Sequence, residues 1–71
     1  MSFRRLRELR EDRDLKQWQL AEYLGVSANT YSQYETGKIM LTAHNAKKLA
    51  EFYDVSLDYL LGRTNEPNSH K

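Results

Sequence analysis

Apolar residues recur along this chain at spacings of three and four positions, which is the periodicity of amphipathic α-helices. No β-branched run with the alternating pattern of a strand is present, and the only proline is Pro67. Five short helices with tight connections in about 62 residues indicate a compact all-α fold. The predicted helices cover approximately residues 2–13, 16–24, 27–35, 42–53 and 56–61.

Residues with capping preferences mark the ends of these predicted helices. Ser27, Thr42 and Ser56 each precede a helical segment, where a hydroxyl can accept a hydrogen bond from a backbone N–H of the first turn. Gly25 and Gly37 each follow one, and glycine readily adopts the left-handed conformation that ends a helix. The expected core face of the fourth helix consists of Ala46, Leu49, Ala50 and Tyr53.

The composition fits one small domain. The chain has 71 residues, of which 39% are hydrophobic and 30% are charged, and it contains no cysteine. A disulfide framework and a cysteine-based zinc site are therefore excluded, and the apolar runs are too short for a membrane span or a signal peptide. We expect a cytoplasmic protein with one domain over residues 1–62 and a polar, disordered tail over residues 63–71.

The charge distribution is uneven but not decisive. The net charge is +1 at pH 7. Residues 1–50 carry nine Lys and Arg against six Asp and Glu, while residues 51–71 carry two against four. The first part could face an anionic partner, although ordinary solvated charge is the preferred explanation when this asymmetry is taken alone.

The most informative stretch is residues 16–38, whose sequence is KQWQLAEYLGVSANTYSQYETGK. Ala21 is small where two helices must approach closely, and Gly25 permits a sharp turn four residues later. Val26 can fill the junction with an apolar side chain, and Ser27 begins the next helix. Two helices joined at a steep angle by a short glycine-containing turn form a helix-turn-helix unit.

The predicted third helix has two dissimilar faces. Tyr31 and Tyr34 lie on one side and are expected in the core. The other side carries only small or uncharged polar residues. Amide side chains can pair with adenine in the major groove, and a small alanine can touch a thymine methyl group. This side, which is suited to reading base edges, consists of Ala28, Asn29, Ser32, Gln33 and Thr36.

Residues beside the third helix suit contacts with phosphate. Gln17 lies in the first turn of the second helix, where free backbone N–H groups and the helix dipole favour an anion. Lys16 adjoins it, and Thr36 and Lys38 lie just beyond the third helix. Such contacts would set the register of a bound duplex and supply salt-dependent affinity without reading its sequence.

The ordered spacing of these residues resembles that of the lambdoid phage repressor and Cro-type helix-turn-helix proteins, also called the XRE family. The resemblance covers about residues 3–62. It implies a five-helix, lambda-repressor-like DNA-binding domain whose third helix enters the major groove while the second lies across the backbone. It rests on Arg10, Gln17, Leu20-Ala21, Gly25-Val26-Ser27, Tyr34-Glu35, Gly37-Lys38 and the closing VSLDYLLG of residues 55–62.

The resemblance also implies roles for single residues. A partly buried structural pair between Arg10 and Glu35 would tie the first helix to the third. Many family members have Gln or Arg in place of Ala28, an aliphatic residue in place of Tyr31, and a proline near Leu41, so this chain departs from the pattern there. The positions matched to base contacts are Ala28, Asn29, Ser32 and Gln33, and those matched to phosphate contacts are Lys16, Gln17, Thr36 and Lys38.

Other conspicuous residues have simpler explanations. Trp18, the only tryptophan, could flank a phosphate through its indole N–H, but packing on Phe3 or Tyr53, or partial exposure, is the preferred interpretation. Arg4 and Arg7 are assigned to a solvated face on which acidic residues pair with them. No pattern typical of catalysis, a metal site or a cofactor site is present, so an enzyme is not expected.

The sequence therefore predicts a sequence-specific regulator of transcription, a repressor, that binds a palindromic operator in double-stranded DNA as a symmetric homodimer. A module that binds another protein through the same fold, and a fragment of a longer regulator, remain open alternatives. The dimer surface is expected on the apolar fifth helix, at Leu57, Tyr59, Leu60 and Leu61.

Overall fold

Five helices follow one another in the computed structural model, which describes residues 4–67. The described residues form no strand, and the predicted all-α fold is confirmed. The expected start of the first helix at Ser2 lies outside the described residues. The helices are α1 (Arg4–Asp12), α2 (Gln17–Leu24), α3 (Ala28–Thr36), α4 (Ala43–Tyr53) and α5 (Leu57–Leu60).

Side-chain caps begin three of the helices. The Ser27 hydroxyl accepts a hydrogen bond from a first-turn backbone N–H of α3 at 3.1 Å. Thr42 does the same for α4 at 3.1 Å, and Ser56 for α5 at 3.0 Å. The three predicted caps are confirmed, and each satisfies a backbone donor that has no partner within its own helix.

Residues in the left-handed conformation end three of the helices. Gly25 (φ 74°) follows α2 and Gly37 (φ 78°) follows α3, as expected. The backbone N–H of Gly37 still bonds to the last turn of α3, so this helix extends to Thr36, one residue beyond its predicted end. Asp14 and Asp54 adopt the same conformation, both with φ 56°, and Asp54 ends α4. These two positions were not predicted, because aspartate is only an occasional occupant of this region.

The core lies where α1, α2, α3 and α4 meet around buried tyrosines and leucines. The rings of Tyr31 and Tyr34 are edge to face with their centroids 6.4 Å apart, and both residues are buried, as predicted. Val26 is half-buried and packs against this core at the junction of α2 and α3. The predicted core face of α4 is also confirmed. The buried apolar residues are Leu6, Leu20, Ala21, Leu24, Tyr31, Tyr34, Ala46, Leu49, Ala50, Tyr53 and Leu60.

Arg5 ties α1 to α5 and to the chain that follows it, where the carbonyl oxygen of Thr64 accepts a hydrogen bond from Arg5 Nη1 at 3.5 Å. Arg5 Nη1 donates a hydrogen bond to the carbonyl oxygen of Tyr59 at 3.1 Å, and its guanidinium lies 4.1 Å from the centroid of the Tyr59 ring. The backbone N–H of Ser56 donates to the carbonyl oxygen of Pro67 at 2.8 Å. The polar segment assigned from sequence to a tail therefore follows the folded surface as far as Pro67, and residues 68–71 lie outside the described residues.

The short helix α5 divides its apolar residues between core and surface. Leu57 is 44% exposed, whereas Leu60 is fully buried. Tyr59 and Leu61 are half-buried. The expectation that Leu57, Tyr59, Leu60 and Leu61 all form a dimer surface is corrected accordingly, because Leu60 has no exposed surface to offer a partner.

Candidate nucleic-acid interface

A turn of three residues sets the geometry between α2 and α3. Gly25 can take its positive φ without steric cost, and its backbone N–H closes the last turn of α2 onto the carbonyl of Glu22 at 3.1 Å. The N–H of Val26 bonds to the carbonyl of Ala21 at 3.0 Å. Ser27 then opens α3 as its cap. With Ala21 and Val26 packed against the core, the two helices are held at one angle rather than joined by a loose linker.

One face of α3 is open to solvent. Ala28 and Asn29 are exposed, and Ser32 and Gln33 are half-buried. Asn29 and Gln33 are four residues apart, so their amides lie one above the other on the same side of the helix. Neither amide forms a hydrogen bond with another residue in the part of the chain described here. Both are therefore free to pair with the edge of a base.

A buried ion pair between Arg10 of α1 and Glu35 of α3 holds the helix-turn-helix unit against the first helix. Arg10 Nε donates to Glu35 Oε2 at 2.7 Å and Arg10 Nη2 to Glu35 Oε1 at 3.3 Å. The remaining arginine nitrogen, Nη1, donates to the carbonyl oxygen of Leu15 at 3.0 Å. Gln17 Nε2 donates to Glu35 Oε1 at 3.1 Å. One carboxylate thus joins α1, the start of α2 and the end of α3.

The electrostatics of the pair keep it ionised. Burial alone would raise the pKa of Glu35, but the hydrogen bonds from Arg10 and Gln17 outweigh it and hold that pKa below its usual value. The hydrogen bond to Glu35 raises the pKa of Arg10. Burial, reinforced by the nearby Glu35 carboxylate, raises the pKa of Tyr31. The network therefore carries no proton change near neutral pH and acts as a fixed strut.

The residues predicted to contact phosphate surround the start of α2 and the end of α3. Lys16 and Lys38 are exposed. The Gln17 side chain is held by Glu35, but its backbone N–H, in the first turn of α2, has no partner among residues 4–67. The Thr36 hydroxyl donates to the carbonyl oxygen of Gln33 at 3.2 Å, so it would have to exchange this acceptor for a phosphate oxygen.

Two residues have roles that the sequence did not indicate. Gln19 Oε1 accepts a hydrogen bond from the backbone N–H of Lys16 at 2.8 Å, which completes the start of α2. Arg13 Nη2 donates to the carbonyl oxygen of Tyr53 at 3.1 Å and closes the end of α4.

Trp18 is 58% exposed in the first turn of α2. This partial exposure agrees with one of the preferred interpretations. Of the two suggested packing partners, Phe3 lies outside the described residues and Tyr53 is buried.

Comparison with known proteins places this geometry in a family. The sequence model of the family described as Helix-turn-helix matches residues 6–60, which span most of α1 and all of α2 to α5. The chain belongs to the helix-turn-helix family. This result confirms the resemblance to repressor and Cro-type proteins.

Several curated relatives of this helix-turn-helix chain are named as regulators of transcription. It is 40% identical over 68 residues to the uncharacterized HTH-type transcriptional regulator YobD of Bacillus subtilis, which covers 96% of this chain and 61% of the relative. It is 40% identical over 57 residues to the cryptic phage CTXphi transcriptional repressor RstR of Vibrio cholerae, covering 80% and 51%. It is 39% identical over 57 residues to the HTH-type transcriptional activator BcrR of Enterococcus faecalis, covering 80% and 28%. The chain thus spans about half to three fifths of the length of YobD and RstR.

Two further properties concern only residues 4–67. None of their helices has the length and apolar character needed to cross a bilayer. Nor do they contain a group of three or more His, Cys, Asp and Glu side chains placed to hold a metal ion.

Proposed function

We propose that this helix-turn-helix chain is a sequence-specific, double-stranded DNA-binding regulator of transcription that reads its operator in the major groove through α3. The observation that carries the proposal is the solvent-open, uncharged polar face of α3, with the free amides of Asn29 and Gln33. An exposed helix face without charge is an unusual choice for solubility alone, and it suits hydrogen bonding to base edges. Operator binding also agrees with a cytoplasmic location.

The four residues of this face would share the reading of bases. Asn29 and Gln33 would each pair bidentately with adenine, and a good pair contributes about 1–3 kcal/mol of discrimination against the wrong base. Ala28 lets the backbone of α3 approach the groove and can touch a thymine methyl group. Ser32 lies half-buried between the two amides and adds a short hydroxyl donor and acceptor.

Phosphate contacts would hold α3 in register. The unpartnered N–H of Gln17 at the start of α2 is suited to an anion, and Lys16, Thr36 and Lys38 add charged or polar groups around it. These contacts supply affinity that falls with salt and carry no sequence information. The ion pair of Arg10 with Glu35, which also binds Gln17, keeps the start of α2 and the end of α3 at a constant separation.

A symmetric homodimer would double the length of sequence that is read. One helix covers only a few base pairs, so a palindromic operator with half-sites about 34 Å apart matches two copies. An open apolar groove of about 470 Å³ lies beside α5 and would form the dimer surface. Leu57 and Leu61 line it together with Met40, which is 80% exposed in the loop before α4. Tyr59 would lie at its margin.

Repression is the regulatory effect that we propose. The phage relative RstR is named as a repressor, whereas BcrR is named as an activator. Occupation of an operator by this domain would by itself block access to an overlapping promoter, so repression needs no further activity.

The alternative is a module that binds another protein through the same fold. The exposed Trp18 favours it, because exposed aromatic residues are enriched at protein interfaces. A mobility shift on mixed-sequence duplex DNA separates the two functions. A chain that is not retarded even at low salt would be a protein-binding module.

The decisive experiment is a selection of bound duplexes from a random library, followed by titration of the selected site. The double variant Asn29→Ala and Gln33→Ala should lose the preference for the selected site over mixed-sequence DNA, by about tenfold or more. The control variant Lys38→Gln should weaken both duplexes equally and leave the preference unchanged. An unchanged preference in the double variant would remove Asn29 and Gln33 from the base-reading role.

A further inference from the structure

Two adjoining clefts lie between α1, the start of α2 and the end of α3. One, of about 300 Å³, is lined by Arg7, Arg10, Gln17, Glu35 and Thr36. The other, of about 260 Å³, is lined by Arg4, Arg7, Glu35 and Thr36. Because the two share Arg7, Glu35 and Thr36, they form one continuous surface, which we call the α1–α3 cleft.

The α1–α3 cleft carries a net positive charge, and only part of it is neutralised by a buried carboxylate. Arg10 neutralises Glu35, since its Nε lies 2.7 Å from the carboxylate. The third nitrogen of Arg10, Nη1, donates a hydrogen bond to the carbonyl oxygen of Leu15. Arg4 and Arg7 therefore supply the charge that is left for a ligand. Arg4 is exposed and forms no ion pair with another residue between positions 4 and 67.

Within residues 4–67, the carboxylate that would compete with a bound anion for these arginines is that of Glu11, and its ion pair with Arg7 is weak. Arg7 Nε lies 3.1 Å from Glu11 Oε2, and the two side chains are 65% and 54% exposed. Exposed pairs at this spacing contribute a few tenths of a kcal/mol, so a stronger anion can displace the carboxylate. The assignment of Arg7 to a solvated face is correct for the free chain and leaves it available to a ligand.

We propose that Arg4 and Arg7 extend the DNA contacts onto α1, with the α1–α3 cleft accepting a phosphate of the DNA backbone. This inference rests on the proposed function. Gln17 and Thr36, two residues assigned to phosphate contacts from sequence, are walls of the cleft, and Thr36 lies one turn beyond the amide of Gln33. A strand that follows the reading face of α3 past Thr36 thus reaches Arg7 and then Arg4.

The source of the anion follows from the shape of the cleft. It is open along the surface and continuous with the exposed end of α3. A polyanion that lies along α3 can meet Thr36, Arg7 and Arg4 in succession and gains from each charge. A small free anion would meet the same charges one at a time, and it has no enclosed pocket to hold it.

The test measures how affinity depends on salt for four variants of the full chain: Arg4→Gln, Arg7→Gln, Glu11→Gln and Lys47→Gln. Each variant is titrated against the duplex selected from a random library and against a mixed-sequence duplex. Lys47 is exposed on α4 and lines neither cleft, so it is the control for the loss of one positive charge.

Arg4→Gln and Arg7→Gln should each reduce the slope of log affinity against log salt by about 0.9, which is about an eightfold loss at about 0.1 M salt. The loss should be equal on the two duplexes, because phosphate contacts carry no sequence information. Glu11→Gln should strengthen binding by releasing Arg7. Lys47→Gln should leave the slope unchanged.

Two other results would overturn the inference, and they are distinguishable. If the wild-type chain binds but the slopes of both arginine variants equal that of Lys47→Gln, the α1–α3 cleft holds no phosphate and the proposed function stands. If the wild-type chain is retained by neither duplex at about 50 mM salt, the proposed function fails and the inference fails with it. Thermal unfolding of each variant within a few degrees of the wild type excludes misfolding, as expected for exposed side chains.

Discussion

Removal of the Arg10 guanidinium is the most direct test of how the helix-turn-helix unit is held in place. In the variant Arg10→Met, a flexible apolar side chain of similar length fills the space and leaves the Glu35 carboxylate without its cation. That carboxylate belongs to a side chain only 4% exposed, while the guanidinium side chain is 13% exposed. The perturbation therefore creates a buried charge that keeps the hydrogen bond from the Gln17 amide at 3.1 Å and the nearby Tyr31 hydroxyl but has lost its cation.

The expected cost is a large fraction of the total stability. Breaking a buried ion pair on one side costs about 3–5 kcal/mol, and the lower end is expected here because an open cleft adjoins the pair. The stability of a domain of this length is roughly 3–10 kcal/mol. The matched control Arg7→Met breaks a pair whose partners are 65% and 54% exposed, and it should cost less than about 0.5 kcal/mol.

The pH dependence of the stability difference between Arg10→Met and the wild type gives a second, independent test. In the wild type, the lowered pKa of Glu35 means that its paired carboxylate stabilises the fold above the usual pKa of about 4.3, and that this contribution is lost as the pH falls through the lower folded value. In Arg10→Met, burial acts without the arginine and raises the pKa of Glu35. The variant should therefore be weakest near neutral pH, and the difference from the wild type should shrink as the pH falls toward about 5.

Urea unfolding followed by far-ultraviolet circular dichroism at several pH values measures both effects. Adding Glu35→Gln to Arg10→Met should recover part of the lost free energy, because no buried charge is then left unpaired. A neutral-pH difference below about 1 kcal/mol, or a difference that does not shrink on acidification, would refute the assignment of the pair as the strut between α1 and α3.

Three further predictions concern a cap, a buried tyrosine and the proposed dimer. Asp54→Gly should raise the free energy of unfolding by about 0.5 kcal/mol, because glycine fits φ 56° and a negative charge is removed from the end of α4. The control Glu51→Gly, inside α4, should lower the free energy of unfolding by about 1 kcal/mol in the same urea titration. Burial, helped by the Glu35 carboxylate, raises the pKa of Tyr53 to about 12, so its contribution is complete below the ordinary pKa of about 10 and is lost as the pH rises toward 12. Tyr53→Phe should unfold less steeply in alkali, and an identical alkaline profile would contradict this. Leu57→Glu should abolish cooperative binding to the palindromic site in a mobility shift while keeping affinity for a half-site; retained cooperativity would place the dimer surface elsewhere.

The number, order and ends of the helices were predictable from sequence. Each is decided by residues within one turn of one another: the Ser27 hydroxyl reaches a backbone N–H three residues later at 3.1 Å, and Gly25 closes the helix that precedes it. Such contacts are encoded in a short window, so periodicity and capping preference suffice to find them. The exceptions are Asp14 and Asp54, where the fold imposes a conformation that aspartate adopts only occasionally.

Which side chains share a surface was decided by the tertiary structure. The residue pattern alone assigned Arg4 and Arg7 to a solvated face and treated the leucines of α5 as one apolar stripe, and only the family resemblance paired Arg10 with Glu35. Packing directs Arg10 onto Glu35, 25 positions away, and Arg5 onto Tyr59, 54 positions away, while it leaves Arg4 and Arg7 beside Thr36 and buries Leu60. Helical periodicity specifies which residues share a face, but it does not specify which face another helix will cover. That choice depends on helices meeting across the core, and here it separates the arginines that support the fold from those left free to meet a polyanion.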